Sequence, residues 1–130
     1  MISENLQSIL YVDDDPDMLA LTRIAFSTVS KMKMDVCSSG HEALEKAGEI
    51  SHDLLMLDVD MPGLDGPSTL RELRKLPLTA TTPVIFFTAN VQQQDLALYA
   101  SLGVIGIIAK PVHSLLDLPQ HVTQMWEERR

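Results

Sequence analysis

Asp53-Leu54-Leu55-Met56-Leu57-Asp58-Val59-Asp60-Met61-Pro62-Gly63-Leu64-Asp65-Gly66 is the stretch that decides the fold of this chain. Leu54 to Leu57 are all apolar. A strand apolar on both faces belongs in the middle of a parallel sheet covered by helices on either side. The run stops at Asp58, and Met61 to Pro67 is loop chemistry, rich in proline and glycine.

The same grammar repeats outward from this strand. Before it, Ile9-Leu10-Tyr11-Val12 is closed by Asp13-Asp14-Asp15-Pro16. A proline at the first helical position, with an aspartate before it, starts a helix. Met18, Leu21, Ala25 and Val29 then recur at helical spacing. Met34 to Cys37 is a second strand. Ser39 followed by Glu42 reads as a capping box, with Ala43, Leu44, Ala47 and Ile50 as the inner face of the next helix. After the central strand, Leu70 and Leu73 point inward from a third helix, and Arg71, Arg74 and Lys75 lie on its wet side. Val84-Ile85-Phe86-Phe87 is another fully apolar strand, ending at Thr88. Leu96, Tyr99 and Ala100 mark a fourth helix, with Gly103 as its C-cap. Ile105 to Ala109 is the last strand, ending at Lys110-Pro111. Val122, Met125 and Trp126 are the buried stripe of a final helix starting near Pro119. Five strands alternating with five helices predict an α/β fold, a parallel sheet with helices on both faces and right-handed crossovers.

Bulk properties narrow the function. The 130 residues suit one domain, and 45% hydrophobic with 22% charged residues is an ordinary globular mix. A formal net charge of −8 argues against nucleic-acid binding through the surface at large. No apolar run has the length of a membrane span, and residues 1–7 lack the pattern of a signal peptide, so a soluble, cytoplasmic protein is expected. Cys37 is the only cysteine, which excludes an internal disulfide and reads as core.

The polar residues are informative by position. Asp13 and Asp14 follow the first strand, Asp58 ends the third, Thr88 the fourth and Lys110 the fifth. In an open parallel sheet all these carboxyl ends lie on one edge, where ligands bind at the reversal of strand order. Unit charges about 4 Å apart interact by about 4 kcal/mol at an effective dielectric near 20. Three carboxylates at that distance therefore raise their pKa values or hold a cation. Hard oxygen donors suit Mg²⁺. Lys110 adds a positive charge and Thr88 a hydroxyl donor. Such a set binds the oxygens of a phosphoryl group in transfer, with one carboxylate as nucleophile.

The blocks Ile9 to Pro16, Asp53 to Gly66, Phe87-Thr88-Ala89 and Lys110-Pro111 resemble, in order and spacing, the four signature blocks of response-regulator receiver domains. The resemblance covers roughly 7–127, so residues 1–130 read as one receiver domain with no output domain. It implies a flavodoxin-like sheet in the order 2-1-3-4-5. It implies Asp58 as phosphoacceptor, with Thr88 bonded to the phosphoryl group and Lys110 paired to it. It places Mg²⁺ (or Mn²⁺) on Asp13, Asp14, Asp58 and the backbone carbonyl of Asp60, with Asp14 the more direct ligand and Asp13 acting largely through water. It implies a cis Lys110-Pro111 bond. The implied partners are a histidine kinase or phosphotransfer protein and a downstream protein, bound on the face of helix four, strand five and helix five. Two residues depart from the family pattern: Asp60 is more often asparagine, and Ile107 stands where many receivers carry tyrosine or phenylalanine. A stiff Ile107 cannot copy an aromatic swing, which shifts the expected switch to Thr88 and the segment 89–94.

Other readings are weaker. Asp58-Val59-Asp60 also resembles the nucleophile motif of haloacid-dehalogenase-type phosphatases, but those place the motif before their other acids and usually carry a cap domain. A degenerate receiver is disfavoured because every chemical position is filled. Asp58 to Thr69 fails as an EF-hand loop, since Pro62 and Thr69 replace ligands. Asp15 reads as a helix cap. His41, His52, His113 and His121 have no metal-ligand spacing and are expected on the surface. No glycine-rich phosphate loop is present, so ATP is not the expected direct substrate.

Overall fold

The computed structural model describes residues 5–89, 96–110 and 114–129. Strands β1 (Ser8–Val12), β2 (Lys33–Cys37), β3 (Leu54–Leu57), β4 (Val84–Thr88) and β5 (Val104–Ala109) alternate with helices α1 (Pro16–Val29), α2 (Gly40–Glu49), α3 (Gly66–Leu73), α4 (Leu96–Ser101) and α5 (Leu118–Glu128). All strand pairs are parallel, in the order β2-β1-β3-β4-β5. This is the expected doubly wound fold. The order reverses between β1 and β3, the two strands that are followed directly by Asp13 and Asp58.

Period-two alternation divides the core in two. Ile9, Tyr11, Leu54, Met56, Ile85 and Phe87 meet Leu19 and Phe26 of α1 and Val122 and Trp126 of α5. Leu10, Val12, Leu55, Leu57, Val84 and Phe86 meet Ala43 and Ala47 of α2, Leu70 and Leu73 of α3, and Tyr99 of α4. β3 is buried on both faces, as its composition requires.

The helix ends form as their residue types dictate. Asp15 caps α1, accepting the amides of Asp17 and Met18. Ser39 caps α2 by accepting the Glu42 amide at 3.1 Å. The reciprocal bond lands one residue earlier than a capping box would place it, because Glu42 takes the amide and hydroxyl of Ser38. Gly103 follows α4 at φ +85°, the left-handed conformation expected beyond a helix end.

Four burial expectations are overturned. Leu21 is 50% exposed, because the face of α1 that meets the sheet is Leu19, Thr22, Ala25 and Phe26, and Leu21 lies across the helix from it. Val29, the last residue of α1, is also exposed and lines a shallow groove against α5. Ile50 leaves the helical face, since α2 ends at Glu49 and Ile50 is an extended cap. His52 is buried rather than on the surface, with Nε2 2.8 Å from Asp35 Oδ2, a carboxylate partner that makes its burial tolerable.

Arg74 is a fifth correction. Instead of facing water it is half-buried and donates from Nε to the Leu102 carbonyl at 3.0 Å and from Nη1 to the Thr79 carbonyl at 2.7 Å. Desolvation lowers its pKa. A Cβ at Gly103 would stand 2.5 Å from an Arg74 guanidinium nitrogen, so the glycine also makes room for the fork. Arg74→Ala strands two carbonyls and is expected to cost about 2 kcal/mol. Urea denaturation checks this; a loss below about 0.5 kcal/mol, the range of ordinary surface changes, would return Arg74 to the wet side.

Candidate functional site

The sheet ladder extends beyond the strands to the site residues. The Asp13 amide donates to the Cys37 carbonyl at 3.1 Å, the Asp58 amide to Val12 at 3.0 Å, and the Lys110 amide to Thr88 at 2.9 Å. The backbone of each is thus fixed by its neighbouring strand, and the side chains converge at the carboxyl edge. Asp13, Asp14, Asp15, Met18, Asp58, Ala89, Lys110 and Leu115 line a cleft of about 530 Å³.

Carboxylate oxygens of Asp13, Asp14 and Asp58 lie within 4.8 Å of one another. At that limit each ionised pair repels by about 3.5 kcal/mol at an effective dielectric of 20. Asp13 is fully buried and Asp58 nearly so, while Asp14 is exposed. The Lys110 ammonium compensates two of them: it pairs with Asp13 Oδ2 and sits 3.4 Å from Asp58 Oδ2. It also lies 5.2 Å from the centre of the Phe87 ring. Burial pushes the Asp58 carboxyl above its ordinary range; the Thr88 hydroxyl bond and Lys110 oppose the push, and the charge of Asp13 adds to it. The Asp60 amide donates to Asp58 Oδ1 at 3.3 Å, with the residue itself exposed. The donor set, three carboxylates of which one is open to solvent, fits a hard divalent cation.

The structure therefore brings together Asp13, Asp14, Asp58, Thr88 and Lys110, with the Asp60 backbone beside them. Pro111, His113 and residues 90–94, on which the cis bond, one surface histidine and part of the switch segment were expected, lie outside the described residues. His41 and His121 are exposed, and Cys37 is buried, with its thiol pushed up to about 11 chiefly by desolvation.

Sequence reasoning missed Tyr11. Its hydroxyl donates to Asp13 Oδ2 at 2.6 Å inside the protein. Burial, then the adjoining Asp13, pushes the phenol far above its ordinary range, so it stays a donor. The available signal was strand alternation, which puts Tyr11 and Asp13 on one face.

Comparison with known proteins agrees with this geometry. A family model described as the response regulator receiver domain matches residues 9–123. The chain is 30% identical over 119 residues to the signal transduction histidine-protein kinase BarA of Escherichia coli, a match that takes in 88% of this chain and 13% of the kinase. It thus spans a small part of that relative's length. The receiver domain of the Pseudomonas aeruginosa sensor histidine kinase PA1611, solved with a magnesium ion coordinated in its active-site cleft, superposes with a TM-score of 0.78 at 28% identity, over 92% of this chain and 96% of that one. The Vibrio cholerae chemotaxis protein CheY4 shares the fold, with a TM-score of 0.84 at 21% identity over 92% of this chain and 98% of that one. The haloacid-dehalogenase-like alternative gains no support from sheet order or from these matches. This chain belongs to the response regulator receiver domain family, the receiver module of two-component phosphorelay systems.

Proposed function

We propose that Asp58 is the phosphoacceptor of this receiver, loaded from the phosphohistidine of a histidine kinase or phosphotransfer protein in a reaction that needs Mg²⁺. The observation that carries the reading is the convergence of Asp13, Asp14 and Asp58 beside Lys110 at the reversal point of the sheet. An Asp58 oxygen attacks phosphorus. The new O–P bond makes an aspartyl phosphate, and the P–N bond of the donor breaks with its electron pair left on the imidazole. Lys110 and Thr88 meet the charge on the equatorial oxygens. Asp13, Asp14, Asp58 and the Asp60 carbonyl would hold the metal, which when bound neutralises phosphoryl charge; Mn²⁺ suits the same oxygens. The chain is read as a signalling module that turns over only its own phosphoryl group. Sustained hydrolysis of p-nitrophenyl phosphate would favour an enzyme instead. With acetyl phosphate and Mg²⁺, intact-protein mass spectrometry should find one added phosphoryl group, and none after chelation of the metal.

The proposed output surface is the face of α4, β5 and α5. Ile107 is half-buried there, next to Phe86 of β4, which stacks edge-on against Tyr99 at 4.8 Å. That packing supports a switch without an aromatic swing at position 107.

Metal binding should be visible as stability. A cation that relieves three crowded carboxylates binds only the native state. At ten times its dissociation constant Mg²⁺ should add about 1.4 kcal/mol, or about 5 °C in melting temperature for a domain of this size. Asp14→Asn should remove most of that rise. A rise of the same size in both proteins at matched Mg²⁺ would separate the metal from this cluster.

A further inference from the structure

We infer that Tyr11 is a positioning residue that frees Lys110 to leave Asp13 for a phosphoryl group on Asp58. The inference rests on the reading of Asp58 as phosphoacceptor. Six contacts carry it. Asp13 Oδ2 accepts from both the Tyr11 hydroxyl, at 2.6 Å, and the Lys110 ammonium. Asp13 Oδ1 accepts from the Asp15 amide at 3.0 Å. The Lys110 ammonium already stands 3.4 Å from Asp58 Oδ2. The Tyr11 ring is fixed against Phe87, with centroids 5.9 Å apart, and the same Phe87 ring lies under Lys110.

Asp13 is fully buried. A buried carboxylate oxygen that loses its only donor is costly. When a phosphoryl group arrives on Asp58, Lys110 turns to it and gives up Asp13 Oδ2. The Tyr11 hydroxyl stays behind as that oxygen's donor, so the ammonium can be handed over without orphaning Asp13. With phenylalanine at position 11, Asp13 Oδ2 would keep Lys110 as its one donor among the described residues and would hold it. The hydroxyl thus sets the balance between two partners of one lysine, without touching phosphorus.

The test uses beryllofluoride, a phosphoryl mimic, titrated calorimetrically at saturating Mg²⁺. Tyr11→Phe keeps the ring and should weaken beryllofluoride binding about tenfold, the scale of one hydrogen bond to a charged group. In a Lys110→Ala background the same substitution should change affinity less than about twofold, because no ammonium remains to be transferred. A structural role would weaken both backgrounds alike, and that result, or equal binding by wild type and Tyr11→Phe, overturns the inference. A metal-free readout is independent: proton exchange of the Lys110 ammonium, followed by NMR, should slow in Tyr11→Phe, and unchanged exchange counts against it. If Tyr11→Phe does not fold, Tyr11→Met carries the same expectation. Failure of the wild type itself to bind beryllofluoride removes the phosphoacceptor reading, and this inference with it; binding by wild type with no Tyr11 effect removes only the inference.

Discussion

Asp58→Asn should take up no phosphoryl group under conditions that fully label the wild type. The substitution keeps the shape of the side chain, but an amide oxygen lacks the charge and basicity to attack phosphorus. Among the described residues no nearby acid replaces it: Asp13 is buried with Tyr11, Asp15 and Lys110 on its oxygens, and Asp14 is open to solvent. The same change removes one of three mutually repelling carboxylates, each pair worth about 3.5 kcal/mol before screening. The metal-free variant should therefore melt higher than wild type while its response to Mg²⁺ shrinks. Intact-mass measurement after acetyl phosphate treatment decides the first point and calorimetry the second. Undiminished labelling of Asp58→Asn would move the acceptor elsewhere and end the present assignment.

The frame of this protein is legible because its signals are local. Leu54 to Leu57 are apolar on both faces, which forces a central strand whatever surrounds them. Asp15, Ser39 and Gly103 act on amides or dihedrals within a few residues, so their roles follow from type and position. The gathering of Asp13, Asp14, Asp58, Thr88 and Lys110 was legible for a different reason: a parallel sheet puts the ends of all its strands on one edge. What the sequence hid depends on partners far along the chain. Arg74 meets Leu102 across 28 residues and His52 meets Asp35 across 17. Nothing near either residue announces those contacts. The stripe of α1 misled because exposed Leu21 and Val29 imitate an inward face. Tyr11 looked like strand filler because its ring is core and only its hydroxyl belongs to the site.

Gly66→Ala is expected to be the most damaging single methyl addition near the site, at about 3 kcal/mol. Gly66 opens α3 behind the cap Asp65, whose carboxylate accepts the Ser68 amide at 2.8 Å. Its own amide reaches back to the Val59 carbonyl at 2.9 Å, which folds residues 58–66 into a tight return against the end of β3. A Cβ at position 66 would collide with the Asp58 carbonyl oxygen and come within 2.8 Å of Val59 Cα. Both are backbone atoms, so no side-chain rotation gives relief. Either the start of α3 moves out or the Asp58 peptide tilts, and the second response displaces the proposed acceptor. Gly63 provides the contrast. Its φ is +76°, yet a Cβ there would meet nothing within 4 Å. Gly63→Ala should cost only the conformational term, about 1 kcal/mol, and leave acetyl phosphate labelling unchanged. Urea denaturation and labelling rates of the two variants separate the cases. If Gly66→Ala is no worse than Gly63→Ala in both measurements, the loop has slack, and close packing of α3 against Asp58 does not hold the site.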